Sequence, residues 1–301
     1  MKIDNYALTM FQTCPAKYFL RIKEHWTSRR RSGALGFGAC LHEGLATWYR
    51  TSDPGEAIKV IAERWPDGMP VDDWRTKEKC VKTMIEYIAK YKHESWEVVG
   101  KPTNPIVEVA FTLDTEMYLP CEACWDVACD PFSPKCVRCG APRESIEYGG
   151  IYDLLVEFGG SLFVVDHKTT SMMGSGYFNQ FKPNNQMTGY IWAAAAMSGR
   201  KVSGAIINAI GMYKTGATKF DREITSRNQI AIDHWKLNVW HECVAIRQAE
   251  RTGFWPMRTG ACTLYGLCEF HAVHSLDHPT EQQKRLETDY VRDAWDFENR
   301  D

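Results

Sequence analysis

Gly149-Gly150-Ile151-Tyr152-Asp153-Leu154-Leu155-Val156 and Leu162-Phe163-Val164-Val165-Asp166-His167-Lys168-Thr169 are two largely apolar runs joined through Gly159-Gly160. Each reads as a short strand, and the glycine pair suits a turn between them. Side chains at i and i+2 of a strand share a face, so Asp166 and Lys168 point the same way. Pairing of the two strands brings Asp153 to that face. Two carboxylates beside one ammonium at the end of a buried sheet make a divalent-cation site with a water-orienting charge next to it.

The pattern outward from this pair predicts α/β architecture. Upstream, residues from about Leu8 to Trp26 read as helical, broken at Pro15. Gly33 to Gly38 leads into a helix through Cys40-Leu41-His42 to about Arg50, its glycines read as close packing at the helix entry. Helices are expected near Pro54–Arg64 and Asp73–Lys92, and Pro102 to Pro105 breaks the chain. Ile106 to Leu113 alternates like a strand, and Cys121 to Ser145 is a polar, Cys- and Pro-rich insertion. Downstream come a helix over Asn185–Met197, a hairpin of Val202–Tyr213 and Lys219–Ile224, and an amphipathic helix over Asn228–Glu250. This order predicts one core domain over residues 1–301, a central mixed sheet flanked by helices.

The 301 residues are 44% hydrophobic, enough for a sizeable core. No apolar run is long enough to span a membrane and the N-terminus lacks a signal-peptide core, so a cytoplasmic protein is expected. The net charge of −2 gives no global field for nucleic acid. A local basic patch at Arg21, Lys23, Arg29, Arg30 and Arg31 is a candidate contact, and equally a solvated charge run.

A phosphodiester is an anion with a poor alkoxide leaving group. Cutting it requires neutralisation of developing charge and a nucleophile available at neutral pH, which Mg²⁺ or Mn²⁺ held by carboxylates supplies. Asp153 and Asp166 suit the ligand role, and Lys168 suits stabilisation of the transition state and orientation of the attacking water. Gln186 and Tyr190, at i and i+4 on the next helix, are placed to hold substrate or to support the lysine. Asp-x-Lys alone is weak. Asp, twelve residues, Asp-x-Lys and a following Gln-x3-Tyr make a specific combination.

These motifs resemble the PD-(D/E)xK nucleases, in particular the RecB-like exonuclease branch with AddB and the CRISPR-associated iron–sulfur nucleases, as in a stand-alone phage or prokaryotic member. The resemblance runs from Cys14 to His274. Gly38-Ala39-Cys40-Leu41-His42-Glu43 matches the histidine motif helix, Gly150-Ile151-Tyr152-Asp153 the aspartate motif, Asp166-His167-Lys168-Thr169 the (D/E)-x-K motif and Gln186 to Tyr190 the Gln-x3-Tyr motif. It implies a restriction-endonuclease-like fold, His42 and the His167 backbone carbonyl as further metal ligands, and a two-metal-type mechanism. Glu108 is a lesser candidate acid near the site.

The eleven cysteines fall into sets of different character. Cys121-x2-Cys124 and Cys136-x2-Cys139, eleven residues apart, form two knuckles spaced for a structural Zn²⁺, within an insertion over 119–145. Cys129 between them is spare. In the iron–sulfur members of the resembled branch, one cysteine precedes the histidine motif and three follow the Gln-x3-Tyr helix. Cys14, Cys262 and Cys268 match three of these, and His274 stands where the fourth cysteine is expected, with His271 an alternative. The resemblance therefore implies a [4Fe-4S] staple over Cys14 and 262–274, with a second Zn²⁺ on three cysteines and one histidine as the alternative. Cys40, Cys80 and Cys243 read as core residues.

The implied activity is metal-dependent DNA exonuclease action on ends or single strands, with a recombination or replication protein as a possible partner and no membrane partner. Trp26, Trp48 and Tyr177 are candidate stacking residues, though each is also a plausible core residue. The alternatives are an endonuclease or flap-type nuclease with the same site, or a non-catalytic DNA-binding component of a recombination or CRISPR-adaptation complex. An iron–sulfur redox enzyme lacks any nucleotide or flavin motif in this sequence.

Overall fold

The computed structural model describes residues 1–29, 32–66, 73–101, 104–264 and 266–298. Arg30 and Arg31 of the basic patch, and Pro102 of the expected break, lie outside these residues. The chain forms two compact units: Arg30–Ala110 with Ile151–Ile232, and Met1–Arg29 with Phe111–Gly150 and Asp233–Asp301.

The unit built from Arg30–Ala110 and Ile151–Ile232 is α/β. Its helices are α1 (Gly33–Thr51), α2 (Pro54–Glu63), α3 (Lys77–Lys90) and α4 (Asn185–Ser198). Its strands come from β1 (Val107–Tyr118), β2 (Ser145–Phe158), β3 (Ser161–Thr170), β4 (Val202–Gly211) and β5 (Lys219–Thr225). β2 and β3 pair antiparallel from Phe158↔Ser161 to Leu154↔Val165. Gly159 and Gly160 turn between them with φ of 56° and 74°, a region that L side chains rarely enter. β3 and β4 run parallel, joined through α4, and β4 and β5 pair antiparallel. The mixed sheet and its helices share one core, with Leu41, Leu45, Ile61 and Met84 from the helices and Leu154, Val165 and Ile206 from the strands. The inner faces of β2, β3 and β4 are near-continuous apolar runs, as buried strands require.

Helix starts follow side-chain caps: Ser32 accepts from Leu35 N, Asp53 from Gly55 N and Glu56 N, Thr76 from Lys79 N, and Asn184 from Met187 N. The Thr76 cap begins α3 at Lys77, later than the expected Asp73.

In the other unit, Lys2–Asp4 pairs parallel with the first part of β2, and the helix Asn5–Thr13 stops at Cys14, whose extended backbone precedes Pro15. The expected helix through Trp26 is corrected. Trp26–Ser28 is a strand paired with Tyr290–Arg292, because Trp26 packs with Phe270, Leu286 and Tyr290 in a small second core. α5 (Gln229–Thr252) buries Trp235, Val239, Trp240 and Cys243 on one side.

The basic patch loses one member, Arg21, to burial, while Lys23 and Arg29 stay exposed. Arg21 is buried and donates to the Asp293 carbonyl at 2.7 Å, Lys23 pairs with Glu250, and Arg29 Nε donates to the Thr288 carbonyl at 3.2 Å. These cations hold their own unit together. Trp26, only 6% exposed, is likewise removed from a stacking role. No helix among the described residues is long and apolar enough to cross a membrane.

Candidate active site

The β2–β3 ladder ends at Leu154↔Val165, one residue short of Asp153 and Asp166. There the strands part, and the His167 N–H donates to Asp153 Oδ2 at 2.5 Å instead of continuing the ladder. Strand alternation puts Asp166 and Lys168 on one face and the His167 ring on the other. Lys168 Nζ donates to Asp166 Oδ1 at 3.0 Å and to Gln186 Oε1 at 2.9 Å. Gln186 Nε2 in turn donates to the Tyr190 hydroxyl at 3.0 Å, one turn further along α4. The ammonium is thus held at both sides and aimed.

His42 arrives from α1, with Nδ1 3.6 Å from Asp153 Oδ1. Glu108 arrives from β1. One ligand atom each from His42, Glu108 and Asp153 lies within 4.8 Å of the others. Glu108 has φ of 52°, the left-handed region that a non-glycine residue in a strand seldom enters. Held strain of this kind is concentrated at functional sites. The sequence offered Glu108 only as a lesser candidate, since its spacing belongs to no motif and the backbone turn that aims it has no local signature.

Burial works against charge on Asp153, but the neighbouring His42 imidazolium and the His167 N–H hold its carboxyl well below the usual range. Burial pushes the Asp166 carboxyl up, opposed by Lys168 and aided by Asp153. Burial disfavours the His42 imidazolium, yet the Asp153 carboxylate outweighs it and raises the pKa to about 9. Burial pushes the His167 imidazole down to about 3, so that ring is neutral. Burial, then the Asp166 carboxylate, pushes the Tyr177 phenol up to about 12. Oxygen donors with one imidazole fit a hard divalent cation.

The family model of the PD-(D/E)XK nuclease superfamily matches residues 6–273. The chain belongs to that superfamily. PD-(D/E)XK nucleases use divalent metals, and the buried carboxylates with Lys168 lie where the aspartate and (D/E)-x-K motifs put them in this sequence. A search of curated proteins returned no match. Among solved structures, this nuclease resembles a protein from Eubacterium rectale whose name gives it, provisionally, as an exonuclease. The likeness has a TM-score of 0.52 at 14% identity, over 92% of this chain and 90% of that one, and shows the shared fold. The protein SSO0001 matches 77% of this chain and 82% of its own, with a TM-score of 0.31 at 10% identity.

A second cluster of metal-ligand residues sits in the other unit of the nuclease. Cys121 Sγ lies 3.4 Å from Cys139 Sγ, and Cys124 Sγ 3.4 Å from Cys136 Sγ, with all four thiols within 4.8 Å of one another. Backbone N–H groups at the knuckles, that of Cys124 for Cys121 and that of Cys139 for Cys136, pull those two thiols down towards the thiolate. The group can hold Zn²⁺ or iron. Arg143 braces the insertion, donating to the carbonyls of Leu119, Tyr118, Asp130 and Ser133 and to Cys129 Sγ.

Cys14, Cys262, Cys268 and His274 are all in this same unit, and Cys268 N donates to the Cys262 carbonyl at 2.8 Å. Among the described residues, no three of their ligand atoms come within 4.8 Å of one another. Cys40, Cys80 and Cys243 are buried, and Cys40 and Cys80 belong to the sheet core.

Proposed function

We propose that this nuclease is a Mg²⁺- or Mn²⁺-dependent DNA exonuclease acting on ends or single strands. The observation that carries the reading is Lys168 Nζ, fixed between Asp166 and Gln186 beside the donor group of His42, Glu108 and Asp153. Asp153, Asp166, His42, Glu108 and the His167 backbone carbonyl would hold the metal, in a two-metal-type arrangement. When bound, the metal supplies neutralisation of the scissile phosphate and a hydroxide nucleophile at neutral pH.

The chain's own residues do the rest. Lys168 brings a positive charge to the face where the phosphate oxygens gain charge and orients the attacking water. Gln186 and Tyr190 keep that ammonium from folding back onto Asp166 alone. Burial of Asp153 and Asp166 keeps bulk water from screening these charges. The RecB-like order of motifs and the name carried by the Eubacterium rectale structure support exonuclease over endonuclease action.

Zn²⁺ is proposed for Cys121, Cys124, Cys136 and Cys139, in a closed structural site. A [4Fe-4S] cluster on Cys14, Cys262, Cys268 and His274 is proposed from motif order, with a second Zn²⁺ on the same three cysteines and histidine as the alternative.

The test is incubation with Mn²⁺ and end-labelled linear DNA, single- and double-stranded, beside covalently closed circles. Digestion of linear DNA from labelled ends with circles left intact is expected. Cleavage of circles as fast as linear DNA overturns the exonuclease reading, and no digestion of any DNA overturns the nuclease reading for this substrate.

A further inference from the structure

Buried and partly buried polar side chains that the chemistry above leaves unused are gathered behind the site, in the same unit. Glu94, beyond the end of α3, accepts from both terminal nitrogens of Arg222 on β5, at 2.7 and 2.8 Å. Arg222 Nη2 also donates to the Tyr87 hydroxyl at 3.0 Å, and Nε donates to Asn208 Oδ1 at 3.0 Å. The guanidinium lies over the rings of Tyr91 and Trp96, 3.5 and 3.9 Å from their centroids. The Tyr49 hydroxyl donates to Glu94 Oε1 at 2.5 Å and lies 2.7 Å from the Tyr87 hydroxyl.

The directions of these bonds are fixed by chemistry. A guanidinium only donates, so Asn208 must turn its carbonyl oxygen to Arg222 and its amide nitrogen the other way. That nitrogen lies 2.8 Å from the Tyr87 hydroxyl and 2.7 Å from His167 Nδ1. His167 Nδ1 therefore accepts, and the ring proton sits on Nε2. The ring is further held by stacking on Tyr49, with centroids 5.7 Å apart and planes 13° apart.

His167 is the residue between Asp166 and Lys168, and its N–H is the one that Asp153 Oδ2 receives. Fixing the ring on one face of β3 fixes the peptide that aims Asp166 and Lys168 on the other. Tyr49 follows His42 by two helical turns on α1, so the same group of bonds also anchors the helix that carries His42.

We propose that Glu94, Arg222, Asn208, Tyr87 and Tyr49 form a positioning network that sets the divalent-cation affinity of the active site while touching neither cation nor substrate. The proposal rests on the metal-dependent reading of the site given above. Partners one shell away from metal ligands typically carry about 10–100-fold in affinity. A network that only stabilises the core would change the melting temperature and leave cation affinity alone.

Binding of Mn²⁺ alone, without DNA, separates these roles, read by the electron paramagnetic resonance of free Mn²⁺ together with thermal unfolding. Asn208→Thr, which keeps a residue suited to β4 but cannot span from Arg222 to His167, is expected to bind Mn²⁺ about tenfold or more weakly. Met84→Ala, a cavity in the same core outside the network, is expected to lower the melting temperature and bind Mn²⁺ as the unaltered protein does. Asn208→Thr with a lowered melting temperature and unchanged Mn²⁺ binding overturns the proposal. Should Asn208→Thr not fold, Tyr49→Phe decides: weakened Mn²⁺ binding supports the network, and unchanged binding overturns it. Failure of the unaltered protein to bind Mn²⁺ would defeat the metal reading itself, and the network with it.

Discussion

Asp153 shows how much a single side chain is governed by what faces it. Its carboxyl is buried, which alone would favour the neutral form, yet His42 and the His167 N–H keep it charged. The same pairing holds His42 protonated up to about pH 9 in the metal-free protein. In the proposed site a cation must displace that proton, so cation affinity should rise with pH below about 9, by about tenfold per pH unit for one proton released. Half-activating Mn²⁺ concentrations measured at pH 6.5 and 7.5 check this. Equal values at the two pH values would show that His42 is not a ligand. Asp153, Asp166, Lys168, Gln186 and Tyr190 were legible because strand and helix periods project them from fixed spacings. Glu108 was legible only as a lesser candidate, because a left-handed backbone residue inside a strand re-aims it. The Glu94–Arg222–Asn208 group was invisible, since its members come from a loop and two strands and meet only in the folded chain.

At the level of elements, the helices and strands of the sheet unit were readable from apolar period, caps and the Gly159-Gly160 turn. The strand at Trp26–Ser28 was not, because its partner, Tyr290–Arg292, lies near the other end of the sequence and no local pattern encodes that pairing. One contact between elements makes a sharp test. A Cβ at Gly204 on β4 would lie 2.5 Å from the Thr225 carbonyl oxygen, a backbone atom that cannot rotate away, whereas at Gly174 it meets nothing within 4 Å. Gly204→Ala should cost about 1–3 kcal/mol through overpacking, and Gly174→Ala should be near neutral. Urea unfolding of both variants measures the difference. Equal stability would mean that β4 and β5 separate at that point without cost.

Over the whole molecule, the superfamily match spans nearly the full chain, and the proposed metal content rests on its cysteines. The four-cysteine group predicts one zinc per chain, lost in Cys121→Ser together with some thermal stability, as elemental analysis and calorimetry would show. Well-folded protein without zinc would remove that assignment. Anaerobically purified protein should also be brown, with absorbance near roughly 400 nm from a thiolate-bound cluster. A colourless, iron-free sample would contradict the cluster. The central claim, that Asp166 and Lys168 with Asp153 are the machinery of phosphodiester hydrolysis, is tested most directly by Mn²⁺-dependent digestion of end-labelled DNA by purified Lys168→Ala. The account predicts folded protein whose rate falls by about 10²–10³-fold, the usual loss on removing one preorganised charge-stabilising group. Digestion at the rate of the unaltered nuclease would contradict it.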